Sequence, residues 1–83
     1  MLRIDETHEG ANSVIVRATG RLSGPWVDEL RRTVAGQEAG AAVVLDLIDV
    51  GFADADGIAL LRSLRSQDHI CLRCSALVAA QLS

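Results

Sequence analysis

Val43–Leu64, VVLDLIDVGFADADGIALLRSL, is the stretch whose reading decides the fold. Val43, Val44, Leu45 and Leu47 form a short apolar run with a β-branched start, the pattern of a strand covered on both faces. Asp54, Ala55, Asp56 and Gly57 break that pattern. Ile58, Leu61 and the Leu64/Arg65 position then recur at helical spacing, with few β-branched residues to oppose a helix. The spacing predicts a strand over Val43–Leu47, a carboxylate-rich turn, and a helix over Gly57–Gln67. Asp54 and Asp56 fall where the helix begins, and a carboxylate there accepts from the free N–H groups of the first turn. A polar turn held between two rigid elements is also a natural docking edge.

Working outward, Leu2 and Ile4 alternate with Arg3 and Asp5, which predicts a short edge strand over Leu2–Asp5. Thr7–Asn12 contains Glu9, Gly10 and Asn12 and reads as a turn. Ser13–Thr19 (SVIVRAT) is rich in β-branched residues and completes a hairpin. Gly20–Gly24 leads into a helix capped by Ser23 or Gly24, with Pro25 first, where its missing N–H costs nothing. Val27, Leu30 and Val34 mark its buried face. Asp28 and Glu29 precede Arg31 and Arg32, an order that suits the helix dipole. Gly36 and Gly40 bracket the exit. Downstream, Asp68 and His69 form a turn, Ile70–Arg73 is a fourth strand, and Ser75–Leu82 is a third helix with Leu77, Val78 and Leu82 inward. The predicted fold is one small α/β domain, ordered β-β-α-β-α-β-α, with a mixed, mostly parallel sheet, because strands joined through helices lie parallel.

Bulk composition narrows the function classes. At 49% hydrophobic the chain has enough apolar residues for a core, and with Trp26 and Phe52 as its only aromatics that core is Val, Leu, Ile and Ala. The net charge is −3 and all 8 basic residues are scattered arginines, so no basic stripe with stacking aromatics points to nucleic acid. No apolar run reaches the ~20 residues that span a bilayer. Met1–Glu6 lacks the apolar segment of a signal peptide. The expectation is a cytoplasmic protein without membrane insertion, with Cys71 and Cys74 reduced.

Leu45-Asp46-Leu47, Phe52, Asp54-Ala55-Asp56-Gly57-Ile58 and Leu60-Leu61 together resemble the STAS superfamily, whose type members are bacterial anti-sigma-factor antagonists. The family's hallmark is a buried strand, a loop Asp-Ser-Ser/Thr-Gly-Leu and a leucine-rich helix. Gly20-Arg21-Leu22 is similar to its Gly-x-Leu segment. In switchable members the serine after the loop aspartate is phosphorylated by an anti-sigma-factor kinase. The equivalent position here is Ala55, which has no hydroxyl, and the next is Asp56. Asp56 reads as a helix cap, or as a partial mimic of the charge that a phosphate would bring. Relatives usually continue into a further strand and a last helix. A minimal fold, or a missing edge covered by another subunit, are the two expectations, and an uncovered edge favours self-association.

The remaining constellations read as structural. Asp46 in the strand, with Asp49, Asp54 and Asp56 in the loop after it, reads as solvation and capping rather than a divalent-metal or acid/base site, and no metal or cofactor is expected. A receiver domain would need a downstream lysine, and the chain has no lysine. Cys71-Leu-Arg-Cys74 is formally C-x-x-C, but residues three apart on a strand face opposite ways, and Cys71 reads as core filler. His8 and His69 read as solvated. Trp26 reads as half-exposed packing, or as an interface anchor.

The function the resemblance implies is a non-enzymatic regulatory module that binds a protein. Its expected contact residues are Phe52, Asp54, Ala55, Asp56, Gly57, Ile58, Arg62 and Arg65. The expected partner is an anti-sigma factor of the kinase type, without control by phosphorylation at Ala55. The alternatives are an accessory subunit of a lipid-transport ATPase, an enzyme with a carboxylate metal site, and a structural homo-oligomer.

Overall fold

Val14, Val16 and Ala18 alternate with Ile15, Arg17 and Thr19, and only the first three are buried. One face of the sheet therefore meets a core and the other meets solvent. A computed structural model of the chain describes residues 2–37 and 40–82. Its elements are β1 (Leu2–His8), β2 (Ser13–Leu22), α1 (Pro25–Ala35), β3 (Ala42–Ala53), α2 (Ala55–Arg65), β4 (Ile70–Cys74) and α3 (Ala76–Leu82), in the predicted order. The strands lie in the order β1-β2-β3-β4. β1 is antiparallel to β2, while β2–β3 and β3–β4 are parallel.

The helices pack side by side, α1 on α2 and α2 on α3, as two crossovers of one hand in one direction require. Beneath them lie Val14, Val16, Leu22, Val43, Leu45, Leu47 and Val50 from the strands, and Leu30, Leu61 and Val78 from the helices. The open face carries a row of alternating charge across all four strands. Asp5 pairs with Arg17, Arg17 with Asp46, and Asp46 with Arg73. The Asp5–Arg17 and Arg17–Asp46 steps set opposite charges on neighbouring strands, a favourable cross-strand arrangement.

Several expectations are corrected. β3 is covered by helices on one face only; Val44 is half-buried and Ile48 is 54% exposed. It also runs on to Ala53, so Asp49 lies on the strand and not in a loop. Two bulges make this possible. β3 uses Asp46–Asp49 opposite Arg17–Thr19, and Val50–Phe52 opposite Gly20–Arg21, one extra residue each time. The Asp46 carboxylate accepts from the Ile48 amide within the first bulge, at 3.1 Å. β1 extends to His8 and β2 to Leu22, because they keep pairing through Thr7↔Ile15 and Gly20↔Val50. α2 begins at Ala55, two residues before the expected start.

The cap of α1 is Gly24 with Pro25 in the first turn, and Val27, Leu30 and Val34 are its buried face, as expected. Trp26 is half-buried against the core. Val78 and Leu82 of α3 are buried, but Leu77 is 65% exposed. Cys71 is exposed on the open face and is not core filler, whereas Cys74 packs against the core. Burial raises the Cys74 thiol pKa, partly offset by the positive charge of Arg65. No helix of the described residues is long and apolar enough to cross a membrane.

Candidate functional site at the start of α2

The second bulge turns the end of β3 so that Gly51 and Phe52 are both exposed before Ala53 returns to the core. Bulges commonly re-aim side chains beside functional sites. Phe52 is 39% exposed. It stands opposite Arg21 of β2, whose guanidinium carbon lies 4.9 Å from the ring centroid. That cation–π stack braces an aromatic side chain at the surface.

Asp54 is the hinge of the site. Its backbone is extended, with φ −77° and ψ −178°, as an N-cap requires. Oδ1 accepts from the Gly57 amide at 2.7 Å and Oδ2 from the Gly24 amide at 3.0 Å. Its own amide donates to the Leu22 carbonyl at 3.0 Å. One carboxylate thus caps α2 and ties down the loop before α1. The two amides, Gly24 first and then Gly57, hold its pKa below the ordinary 3.8, against a smaller opposing effect of desolvation.

Two glycines make this junction possible. Gly24 has φ +58° and ψ −135°, a backbone that side-chain-bearing residues rarely adopt. Gly57 is buried, and a Cβ there would lie 2.9 Å from the Leu22 carbonyl oxygen. The close approach that Gly57 permits is therefore made to its own chain.

The other expected contact residues fall as follows. Ala55 and Asp56 are exposed in the first turn of α2. Asp56 lies inside the helix and the cap is Asp54, so the capping reading of Asp56 does not hold. Ile58 is half-buried against the core. Arg62 and Arg65 are exposed in the last turn. Arg62 is about 10 Å along the axis from Ala55, two turns away. The positive charge of Arg65 opposes the rise in the Cys74 thiol pKa. The junction therefore gathers Phe52, Asp54, Ala55, Asp56, Gly57 and Ile58, with Arg62 and Arg65 at a distance. Arg21 joins the junction through its stack on Phe52 and is not among the expected contact residues. Its signal was the Gly20-Arg21-Leu22 segment at the end of the neighbouring strand.

The four aspartates do not converge. Asp46 is engaged with Arg17 and the Ile48 amide, and Asp54 with two amides. Among the described residues no group of three or more His, Cys, Asp or Glu is placed to hold a metal ion. The surface of the junction presents the Phe52 ring stacked on Arg21, the Ala55 methyl group and the exposed Asp56 side chain, on a frame that Asp54 ties down.

No protein-family model matches the sequence, and no curated protein matches it significantly. Among solved structures the chain is similar to the anti-sigma factor antagonist SpoIIAA in its unphosphorylated form, with a TM-score of 0.54 at 16% sequence identity. The match covers 74% of this chain and 58% of that one, so it spans little more than half the length of that protein. At this identity the likeness is one of fold. The chain has the STAS-like α/β fold that the Leu45–Ile58 motif implied.

Proposed function

We propose that this chain is a non-enzymatic regulatory module that docks a protein partner at the β3–α2 junction. The observation that carries the reading is Phe52, an aromatic ring left 39% exposed at a junction whose backbone Asp54 locks. Interface anchors are commonly aromatic side chains on preorganised frames. Asp56 and Arg62 supply a charged rim, and Ala55 leaves room for close approach. The fold shared with an anti-sigma factor antagonist supports an anti-sigma factor of the kinase type as the partner. The segment Phe52–Ile58 carries no hydroxyl side chain, so docking here is constitutive with respect to phosphorylation of the junction.

The test is co-purification of the tagged chain from native lysate, comparing wild type with Phe52→Ala and Asp56→Lys. The expected result is an anti-sigma kinase recovered by wild type and about tenfold less by either variant, with both variants still folded by circular dichroism. Recovery of a transport ATPase instead would transfer the site to the accessory-subunit reading. Equal recovery by all three proteins would remove the junction from the interface.

A further inference from the structure

β2 and β4 flank β3 with the same pattern. Val14-Ile15-Val16-Arg17 and Ile70-Cys71-Leu72-Arg73 are both registered residue for residue against Val43-Val44-Leu45-Asp46. In each, the first and third residues face the helices, the second is apolar on the open face, and an arginine stands beside Asp46. The other edge of β2 is filled by β1, which places Asp5 opposite Arg17, Thr7 opposite Ile15 and Ile4 opposite Ala18. The other edge of β4 has no strand beside it among the described residues.

The two outer edges differ in chemistry. β1 is a charged edge, presenting Arg3, Asp5, Glu6 and His8. β4 is Ile-Cys-Leu-Arg-Cys, with one charge. Its inward Leu72 and Cys74 are only half-buried. The charge row Asp5, Arg17, Asp46, Arg73 ends on Arg73, which is exposed and forms no ion pair among the described residues.

We infer that β4 of one molecule pairs with β1 of a second copy, antiparallel, with Asp5 of the second copy opposite Arg73. Charge complementarity selects this occupant. The register repeats the one β1 already makes with β2, bringing Thr7 beside Cys71 and Ile4 beside Cys74, and it continues the alternating row. A two-fold pairing of β4 with β4 sets Cys71 or His69 opposite Arg73 and offers it no carboxylate. The contact is head to tail, so each added molecule leaves a free edge and growth does not stop at two. Five residues of ladder and one exposed ion pair are a weak contact, so assembly depends on concentration. The inference does not rest on the partner proposed above.

Sedimentation velocity of the purified chain under reductant, from micromolar to millimolar, tests it. The wild type is expected to form species that grow past the dimer as concentration rises. Arg73→Gln is expected to lose that growth. Mixed in equal amount with wild type, it shortens the assemblies, because it offers β1 but no competent β4. Should Arg73→Gln melt early, Cys71→Glu places a carboxylate on the same open edge, diagonal to the incoming Asp5, and is expected to give the same loss. A monomer at every concentration, a species that stops at two, or growth of folded Arg73→Gln like that of wild type would overturn the inference.

Discussion

Arg17 and Asp46 meet across β2 and β3, with both Nε and Nη2 of the arginine 3.3 Å from one carboxylate oxygen. The other oxygen accepts from the Ile48 amide. These two bonds are unequal. The Arg17 side chain is 59% exposed and that of Asp46 11%, so the ion pair is screened and contributes at most ~1 kcal/mol. The Ile48 amide has been removed from the ladder by the bulge, and leaving it unpaired costs about 1–3 kcal/mol. Asp46→Ala is therefore expected to destabilise by about 2 kcal/mol, Arg17→Ala by less than ~1 kcal/mol, and Asp46→Asn, which keeps an acceptor for Ile48, by an intermediate amount. Urea denaturation of the three variants checks the order. A loss for Arg17→Ala equal to that for Asp46→Ala would mean that the ion pair, and not the bulge, is what Asp46 serves.

Asp54 carries a pH dependence. Its pKa in the folded chain lies below the ordinary 3.8 because its carboxylate accepts from the Gly24 and Gly57 amides. A depressed pKa means that the folded state favours the ionised form. The stability it contributes is present above the ordinary value and is lost as pH falls through the lowered one. Asp54→Ala is expected to lower the melting temperature near neutrality by roughly 5 °C, the scale of a lost cap in a domain this small. The gap between wild type and variant should narrow as the pH falls below the ordinary carboxylate value and through the lowered one. Thermal melts from neutral pH into acid measure it, and a gap that persists undiminished at low pH would exclude the carboxylate as its source.

Gly57→Ala sets two effects against each other. Alanine gains up to ~1 kcal/mol over glycine in a helix interior, and less in a first turn. The new Cβ would lie 2.9 Å from the Leu22 carbonyl oxygen and 3.1 Å from Leu22 Cγ. That carbonyl cannot turn aside, because it accepts from the Asp54 amide. Overpacking of this kind costs about 1–3 kcal/mol, so the variant is expected to be less stable despite its better helix propensity. Because relief requires the start of α2 to shift, Phe52 and Asp56 should also show altered backbone chemical shifts. A stabilised variant would show that β2 yields at Leu22.

What was legible in the sequence, and what was not, divides along physical lines. Alternation at Val14–Ala18 and helical spacing at Val27, Leu30 and Val34 carry the order of elements, because burial on one face imposes those periods. The end of β3 was hidden. Asp49, Gly51 and Asp54 have the composition of a loop, and two bulges carry the strand through it. Leu77 was misplaced because seven residues rich in Ala and Leu present no unique apolar face. At the site, the placement of Asp54 at a helix start was legible from local chemistry. Its second partner, Gly24, and the Arg21–Phe52 stack depend on strand register, which no local pattern encodes. For the same reason Arg17 and Arg73, on either side of Asp46, looked like scattered charges.

α3 solves a problem that β3 creates. β4 pairs with β3 only as far as Leu47, which leaves the rest of that edge of β3 without a neighbouring strand. α3 lies there instead, and two polar groups, one on the residue before it and one within it, stand in for ladder donors. Ser75 Oγ donates to the Val50 carbonyl at 2.8 Å, and Gln81 Nε2 to the Ala53 carbonyl at 3.0 Å. Ser75 Oγ also accepts from the Val78 amide at 3.3 Å and so caps the helix. A helix of 7 residues has little stability of its own, so these contacts and the burial of Val78 and Leu82 must hold it. Ser75→Ala removes a cap and a ladder donor together and is expected to cost about 1–2 kcal/mol. Its effect should be local: hydrogen exchange in α3 and at the free edge of β3 speeds up while the β1–β2 amides keep their protection. Gln81→Leu, which keeps the cap, should speed exchange mainly near Ala53. Uniform acceleration across the sheet in either variant would show that α3 unfolds only with the whole domain and is part of its single cooperative unit.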